Sequence, residues 1–269
     1  MIIKGDCLEK LSEIQDESVD LVMTSPPYAM QRKNTYGGVT EEQYPEWFEK
    51  IGKEIYRVLK PTGSFVLNIK ENSKNGCKSL YVMETVILLS KIFMWKDTFI
   101  WNKKNPFPTG SNRRLKDGFE YCYWFSKGTD YKFFQNNVLT KSESKYLDSE
   151  KKRKNIGNHN CYNGSGFKMN RRFISDYVRP SNVITLATDT ENHIHPATFP
   201  VGLPTFFINL MTEKGDVVLD PFMGSGTTGV ASGNLGREFI GIEIDDKYCE
   251  LAEKRIMEKT NQISVFELV

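Results

Sequence analysis

The stretch Val217-Val218-Leu219-Asp220-Pro221-Phe222-Met223-Gly224-Ser225-Gly226-Thr227-Thr228-Gly229 decides the fold. Its apolar start reads as a buried strand running into Asp220, and a glycine-rich turn then opens a helix that reaches about Leu235. Gly224 to Gly229 fits GxGxxG, a spacing that lets a backbone pass close to a nucleotide at a helix N-terminus. No lysine follows the glycines, so a phosphate loop of the Walker type is excluded. A further strand, Glu238 to Ile242, ends at Glu243, where a carboxylate can accept both hydroxyls of a ribose.

The same rhythm continues toward the N-terminus. An apolar run from Val19 to Met23 stops at Ser25-Pro26-Pro27, since a proline pair ends a strand sharply. Thr40 and Gln43 form a capping box ahead of Tyr44, Phe48, Ile51, Ile55 and Leu59, which recur at helical spacing up to Pro61-Thr62-Gly63. Ser64 to Ile69, Lys96 to Trp101, Phe119 to Phe125 and Asn182 to Leu186 read as strands. Leu80 to Phe93, Pro204 to Met211 and Asp246 to Glu258 read as helices, the last with Tyr248, Leu251 and Ile256 inward and with Cys249 and Met257 in the core. Strand and helix alternation implies an α/β fold built on a seven-stranded, mostly parallel sheet.

Composition narrows the classes. The 269 residues carry 36 basic and 34 acidic side chains, a net of +2 that names no partner, and 39% are apolar, enough for a sizeable core. No run of 18 apolar residues occurs, and the opening MIIKGDCLEKLSEIQD is charged where a signal peptide needs apolar residues, so no membrane association is expected. Five cysteines, none in a CxxC pair, exclude a disulfide scaffold and a zinc ribbon, and no metal is expected. A bacterial or archaeal cytoplasm fits this usage. Charge is uneven, however. Trp101 to Pro180 holds 17 basic and 7 acidic residues, a net of +10, which suits a polyanion. The densest piece is Lys151-Lys152-Arg153-Lys154, and the stretch ends in Arg171-Arg172. Periodicity vanishes there, so residues 128–178 read as an inserted target-recognition region between a catalytic half, 1–127, and a cofactor-binding half, 179–269, of one domain spanning 1–269.

Taken alone, the glycine loop suits a nicotinamide dehydrogenase as well as an S-adenosylmethionine enzyme. Asp220 breaks the tie, because an acid before the loop can hold the amino group of a methionine, whereas a dinucleotide presents diphosphate. Thr24-Ser25-Pro26-Pro27-Tyr28 supplies the second half of the chemistry: prolines expose a backbone carbonyl, Ser25 offers a hydroxyl, and Tyr28 gives a flat face for a base.

With these two motifs the chain resembles the DNA amino-methyltransferases, in which [DNS]PP[YFW] is catalytic and FxGxG binds S-adenosylmethionine. The catalytic motif precedes the cofactor loop, as in the permuted beta group. Gly5-Asp6-Cys7, Leu59-Lys60-Pro61, Trp101-Asn102-Lys103, His195-Pro196-Ala197 and Phe199-Pro200 extend the likeness along most of the chain. The resemblance implies a Rossmann-like fold of the S-adenosylmethionine methyltransferase type. It places Asp220, Pro221, Phe222, Gly224, Ser225 and Gly226 against the methionine half, Glu243 on the ribose, Asp6 beside the adenine, and His195 and Pro196 at the pocket wall. It also implies double-stranded DNA as partner, with Lys151, Lys152, Arg153, Lys154, Arg171 and Arg172 on the nucleic acid, a cognate restriction endonuclease as a companion, and a monomer or homodimer.

None of the five cysteines follows a proline, which disfavours the covalent route to 5-methylcytosine. Direct attack by an exocyclic amine fits instead, with Ser25 and the Pro26 carbonyl accepting its protons and Tyr28 stacking on a flipped-out base. In the resembling family a serine at the first motif position goes mostly with cytosine-N4, an aspartate mostly with adenine-N6. Ser25 therefore points to cytosine-N4 in a restriction-modification setting, with adenine-N6 and a catalytically dead nucleic-acid-binding homologue as the alternatives.

Overall fold

A computed structural model of the chain describes residues 1–30, 38–108, 114–141, 177–188 and 199–266. It divides into two compact units, one of residues 1–134 with 181–269 and one of residues 135–180. The first holds β1 (Ile2–Lys4), α1 (Cys7–Ser12), β2 (Val19–Thr24), α2 (Tyr44–Val58), β3 (Leu59–Ile69), a small hairpin of β4 (Ser73–Lys74) and β5 (Cys77–Lys78), α3 (Tyr81–Leu89), β6 (Met94–Lys103) and β7 (Phe119–Ser126). After the second unit come β10 (Val183–Leu186), α4 (Gly202–Met211), β11 (Val217–Asp220), α5 (Thr227–Asn234), β12 (Glu238–Glu243) and α6 (Asp246–Phe266). Within the second unit, β8 (Thr140–Lys141) pairs antiparallel with β9 (Tyr177–Val178) after a 3₁₀ turn at Gln135–Val138.

The main sheet has eight strands in the order β1-β12-β11-β2-β3-β7-β6-β10. Neighbours are parallel except where β7 lies between β3 and β6, so β7 alone runs backwards. The expected seven strands are corrected to eight by β1, three residues too short to show a period of two. Another correction concerns Pro61, which does not end the helix. The helix ends at Val58, and Leu59 already pairs with Val19, while the next partner pair on this ladder is Leu21 with Ser64. The extra residues on β3 form an irregularity that tolerates a proline lacking an N–H. In α6 the inward face is set by Cys249 and Ala252, with Tyr248 and Leu251 half-buried beside it, and Met257 is 65% exposed rather than in the core.

Aromatic packing fills the space between α2, α3 and the sheet. Phe48 stacks near Phe65, which lies 5.7 Å from Phe125, and Phe93 closes the group at 5.5 Å from Phe65. Each buried ring of this kind contributes about 1.5–3 kcal/mol relative to exposure. Residues beyond β7 also belong to this unit, since the Phe133 ring stacks on Trp124 at 5.1 Å.

At the N-terminal edge of β2, β3 and β11 a buried carboxylate ties the sheet together. Asp20, 2% exposed, accepts from Lys60 Nζ at 2.7 Å, from Lys132 Nζ at 3.0 Å and from the Val217 N–H at 3.0 Å. Burial pushes its carboxyl up, but these donors outweigh that and leave it below the usual range. Stability from this group is therefore full above the ordinary carboxylate range and falls as pH drops through the lowered value. Asp20→Ala should cost about 3–5 kcal/mol in urea unfolding at pH 7, the scale for removing one partner of a buried ion pair, and the difference from wild type should shrink in acid. A variant within 1 kcal/mol of wild type at pH 7, by the same scale, would show that the cluster is only decorative.

Candidate active site

Parallel strands present their C-terminal ends along one edge, and there the sheet gathers the residues of both motifs. In spatial order the edge carries Asp6 after β1, Glu243 at the end of β12, Asp220 and the glycine loop after β11, and Ser25 to Tyr28 after β2. Because β7 runs backwards, its first residues, Phe119 and Glu120, arrive at this edge too, beside the end of β6 at Lys103.

Asp220 is buried and joins three elements. Its Oδ1 accepts from Thr24 Oγ1 at 2.7 Å and from the Phe222 N–H at 3.1 Å, and its Oδ2 accepts from Thr228 Oγ1 at 2.6 Å. A carboxylate has about four lone-pair sites, so one remains on Oδ2. Burial raises its carboxyl to about 6 against the pull of the three donors. Glu243 is equally buried and clasps the loop from the other side: Oε2 accepts from the Gly224 N–H at 3.0 Å, and Oε1 accepts from the N–H groups of Ile244 and Asp245.

The loop glycines divide their duties. Gly224 and Gly226 hold φ of 52° and 79°, the left-handed region that favours glycine. A Cβ on Gly226 would sit 2.8 Å from the Ala252 Cβ, and one on Gly229 would sit 2.4 Å from Ile256 Cδ1, so both also let α6 approach. Ser225 is buried, and both its carbonyl and its hydroxyl accept from Arg255 of α6, at 2.5 and 2.6 Å. Phe222 packs against Trp47 with ring centroids 5.9 Å apart. Thr227, at the first turn of α5, has a buried hydroxyl without a hydrogen-bond partner.

In the catalytic motif Pro26 is buried, while Ser25, Pro27 and Tyr28 are half-buried. The Tyr28 hydroxyl donates to Glu120 Oε2 at 2.9 Å, and Lys103 Nζ donates to Glu120 Oε1 at 2.6 Å. Burial and the Glu120 charge drive the phenol well above its ordinary pKa, opposed by a hydrogen bond from Ser25. Asp6 is exposed and caps α1 through bonds from the Leu8 and Glu9 N–H groups. His195, Pro196, Lys151, Lys152, Arg153, Lys154, Arg171 and Arg172 lie outside the described residues.

Sequence reasoning missed Glu120 and gave Lys103 no task. Both were visible only as a lone acid inside the aromatic run FEYCYWF and as the end of Trp101-Asn102-Lys103. Among the described residues no group of three or more His, Cys, Asp or Glu could hold a metal ion, and no helix is long and apolar enough to cross a membrane.

Comparison with known proteins now places the chain. The model of a family described as DNA methylase, covering N6 and N4 enzymes, matches residues 19–254, and the chain belongs to this family: it is a DNA methyltransferase. It is 32% identical to the type II methyltransferase M.PvuII of Proteus hauseri over 97% of this chain and 84% of that protein. Identity to the orphan methyltransferase M.BamHII of Bacillus amyloliquefaciens is 31% over 90% of both. Among solved structures, the PvuII DNA methyltransferase, titled cytosine-N4-specific, matches with a TM-score of 0.71 at 28% identity over 97% of this chain and 91% of that one. A complex of M1.HpyAVI with S-adenosylmethionine matches with a TM-score of 0.58 at 25% identity, covering 95% and 98%.

Replacing Gly226 by Ala combines a left-handed φ with a clash against helix backbone, as the Ala252 Cα lies 3.1 Å from the new Cβ. Unfolding of Gly226→Ala should show a loss of about 1–3 kcal/mol, the range for overpacking. An unchanged urea midpoint would mean that the loop and α6 are not held in this contact.

Proposed function

We propose that the protein transfers a methyl group from S-adenosylmethionine to the exocyclic N4 of a cytosine flipped out of double-stranded DNA. The observation that carries this reading is the Thr24–Asp220 hydrogen bond, which couples the amine-binding motif to the cofactor loop across two adjacent strands.

The residues present fit the cofactor. Asp220 keeps one acceptor site for a cationic amino group, and the orphaned Thr227 hydroxyl at the start of α5 can donate to a carboxylate. Asp220, Pro221, Phe222, Gly224, Ser225 and Gly226 would hold the methionine half, and Glu243 would hold the ribose, with Asp6 beside the adenine and His195 and Pro196 closing the pocket. The group supplies an electrophilic methyl on a sulfonium. Everything else is the work of side chains. Ser25 and the Pro26 carbonyl accept the two amine protons, which localises a nitrogen lone pair otherwise delocalised into the ring. Tyr28 offers its face to the base, and correct placement supplies much of the acceleration. Lys151 to Lys154 with Arg171 and Arg172, within the inserted region 128–178, would meet the phosphate backbone.

Cytosine-N4 rather than adenine-N6 rests on Ser25 at the head of the motif and on the likeness to a solved enzyme titled cytosine-N4-specific. Digestion of DNA treated with the protein, followed by mass spectrometry of its nucleosides, should yield N4-methylcytosine. Only N6-methyladenine would move the assignment to the other amine.

Cofactor affinity should depend on pH through Asp220. The ionised carboxylate attracts the amino group, and it is protonated as pH falls through about 6. The sign follows: binding by wild type weakens from pH 7.5 toward 5, whereas Asp220→Asn binds weakly at both, by roughly 10- to 100-fold at the higher pH for the loss of one charge-assisted bond. Flat wild-type affinity over this window in calorimetry would remove Asp220 from the cofactor site.

A further inference from the structure

The active-site edge contains a buried ion pair that the transfer reaction described above leaves without a task. Lys103, at the end of β6, and Glu120, at the start of β7, are 2.6 Å apart, with side chains 11% and 9% exposed. The ammonium is further fixed over the Trp101 ring, 5.0 Å from its centroid. Burying such a pair gains little stability, because desolvation offsets the attraction. Its second carboxylate oxygen, however, meets the Tyr28 hydroxyl at 2.9 Å, and the Tyr28 phenol is also hydrogen-bonded to Ser25.

Hydrogen-bond bookkeeping gives this chain one direction. An ammonium only donates and an ionised carboxylate only accepts. Tyr28 must therefore spend its proton on Glu120, and its oxygen is left to accept. Ser25 must spend its own single proton on Tyr28, and its remaining lone pairs are acceptors alone. We infer that the Lys103–Glu120 pair is a positioning device that sets the polarity of the chain Glu120–Tyr28–Ser25 and so makes the Ser25 oxygen an obligate acceptor for the N–H of the amine being methylated. The inference rests on the proposed amine methylation. Without the pair, the Ser25 hydroxyl could instead turn its proton toward the amine nitrogen and compete for the lone pair that must attack. The same bonds hold the Tyr28 ring in one plane, ready for a base.

Steady-state kinetics on DNA, with calorimetry of S-adenosylmethionine binding as a second readout, test this. Tyr28→Phe keeps the aromatic face but removes the link, and Glu120→Gln replaces an obligate acceptor by a group that can donate. Each should lower kcat by roughly 10- to 100-fold while cofactor affinity stays within about twofold. The double variant should be no slower than Tyr28→Phe alone, because effects within one chain are not additive. Multiplied losses in the double variant, or weakened cofactor binding in both single variants, would make the pair merely structural. Full kcat in Tyr28→Phe overturns the inference by itself, even where Glu120→Gln does not fold. Wild type that methylates no DNA amine would instead defeat the proposed function, a distinct result.

Discussion

Asp220 is the constraint on which the rest of the site depends. A carboxylate at 1% exposure is costly unless satisfied, and its partners come from the end of β2, the turn after β11 and the first turn of α5. One group thus fixes the distance between the two motifs. The raised pKa records the incomplete compensation. Because the value is raised, the folded state loses stability as pH climbs through about 6, and a cation against the ionised carboxylate would recover it. Strain of this kind is common where a ligand is meant to complete the set.

Glu243 plays the complementary part. Three of its bonds go to main-chain N–H groups, so it shapes the loop as much as it could hold a ligand. Arg255 gripping Ser225 and the close approach of Ala252 and Ile256 to the glycines show α6 bracing the loop from behind. The glycine pattern that reads as nucleotide recognition is therefore partly a packing requirement between a turn and the last helix.

Much of this was legible in the sequence, and the reason is local. Asp220 to Gly229 and Thr24 to Tyr28 each lie within a short contiguous stretch, and parallel topology alone brings strand ends to one edge. What escaped depends on pairing between distant segments. Glu120 faces Tyr28, 92 residues away, and nothing in FEYCYWF says that the strand runs backwards. The three residues of β1 are too few for a period, and Pro61 read as a stop because the irregular pairing of β2 with β3 is invisible along the chain. The inward face of α6 was misjudged since Tyr248 and Leu251 are apolar enough to look buried, while the closest approach is made by small Ala252.

The reversed strand has a further consequence for how such an enzyme can diversify. A loop can drift in length and composition, whereas a residue in the ladder is held by hydrogen bonds on both sides. Glu120 pairs with Trp101 in the register of β6, so its carboxylate is carried by the scaffold instead of by a connection. Segments that select a target sequence can then be exchanged on either side of it while the hydrogen-bonding geometry at the reacting nitrogen is inherited intact. Selection for new DNA sites and preservation of the chemistry would act on separate parts of the chain.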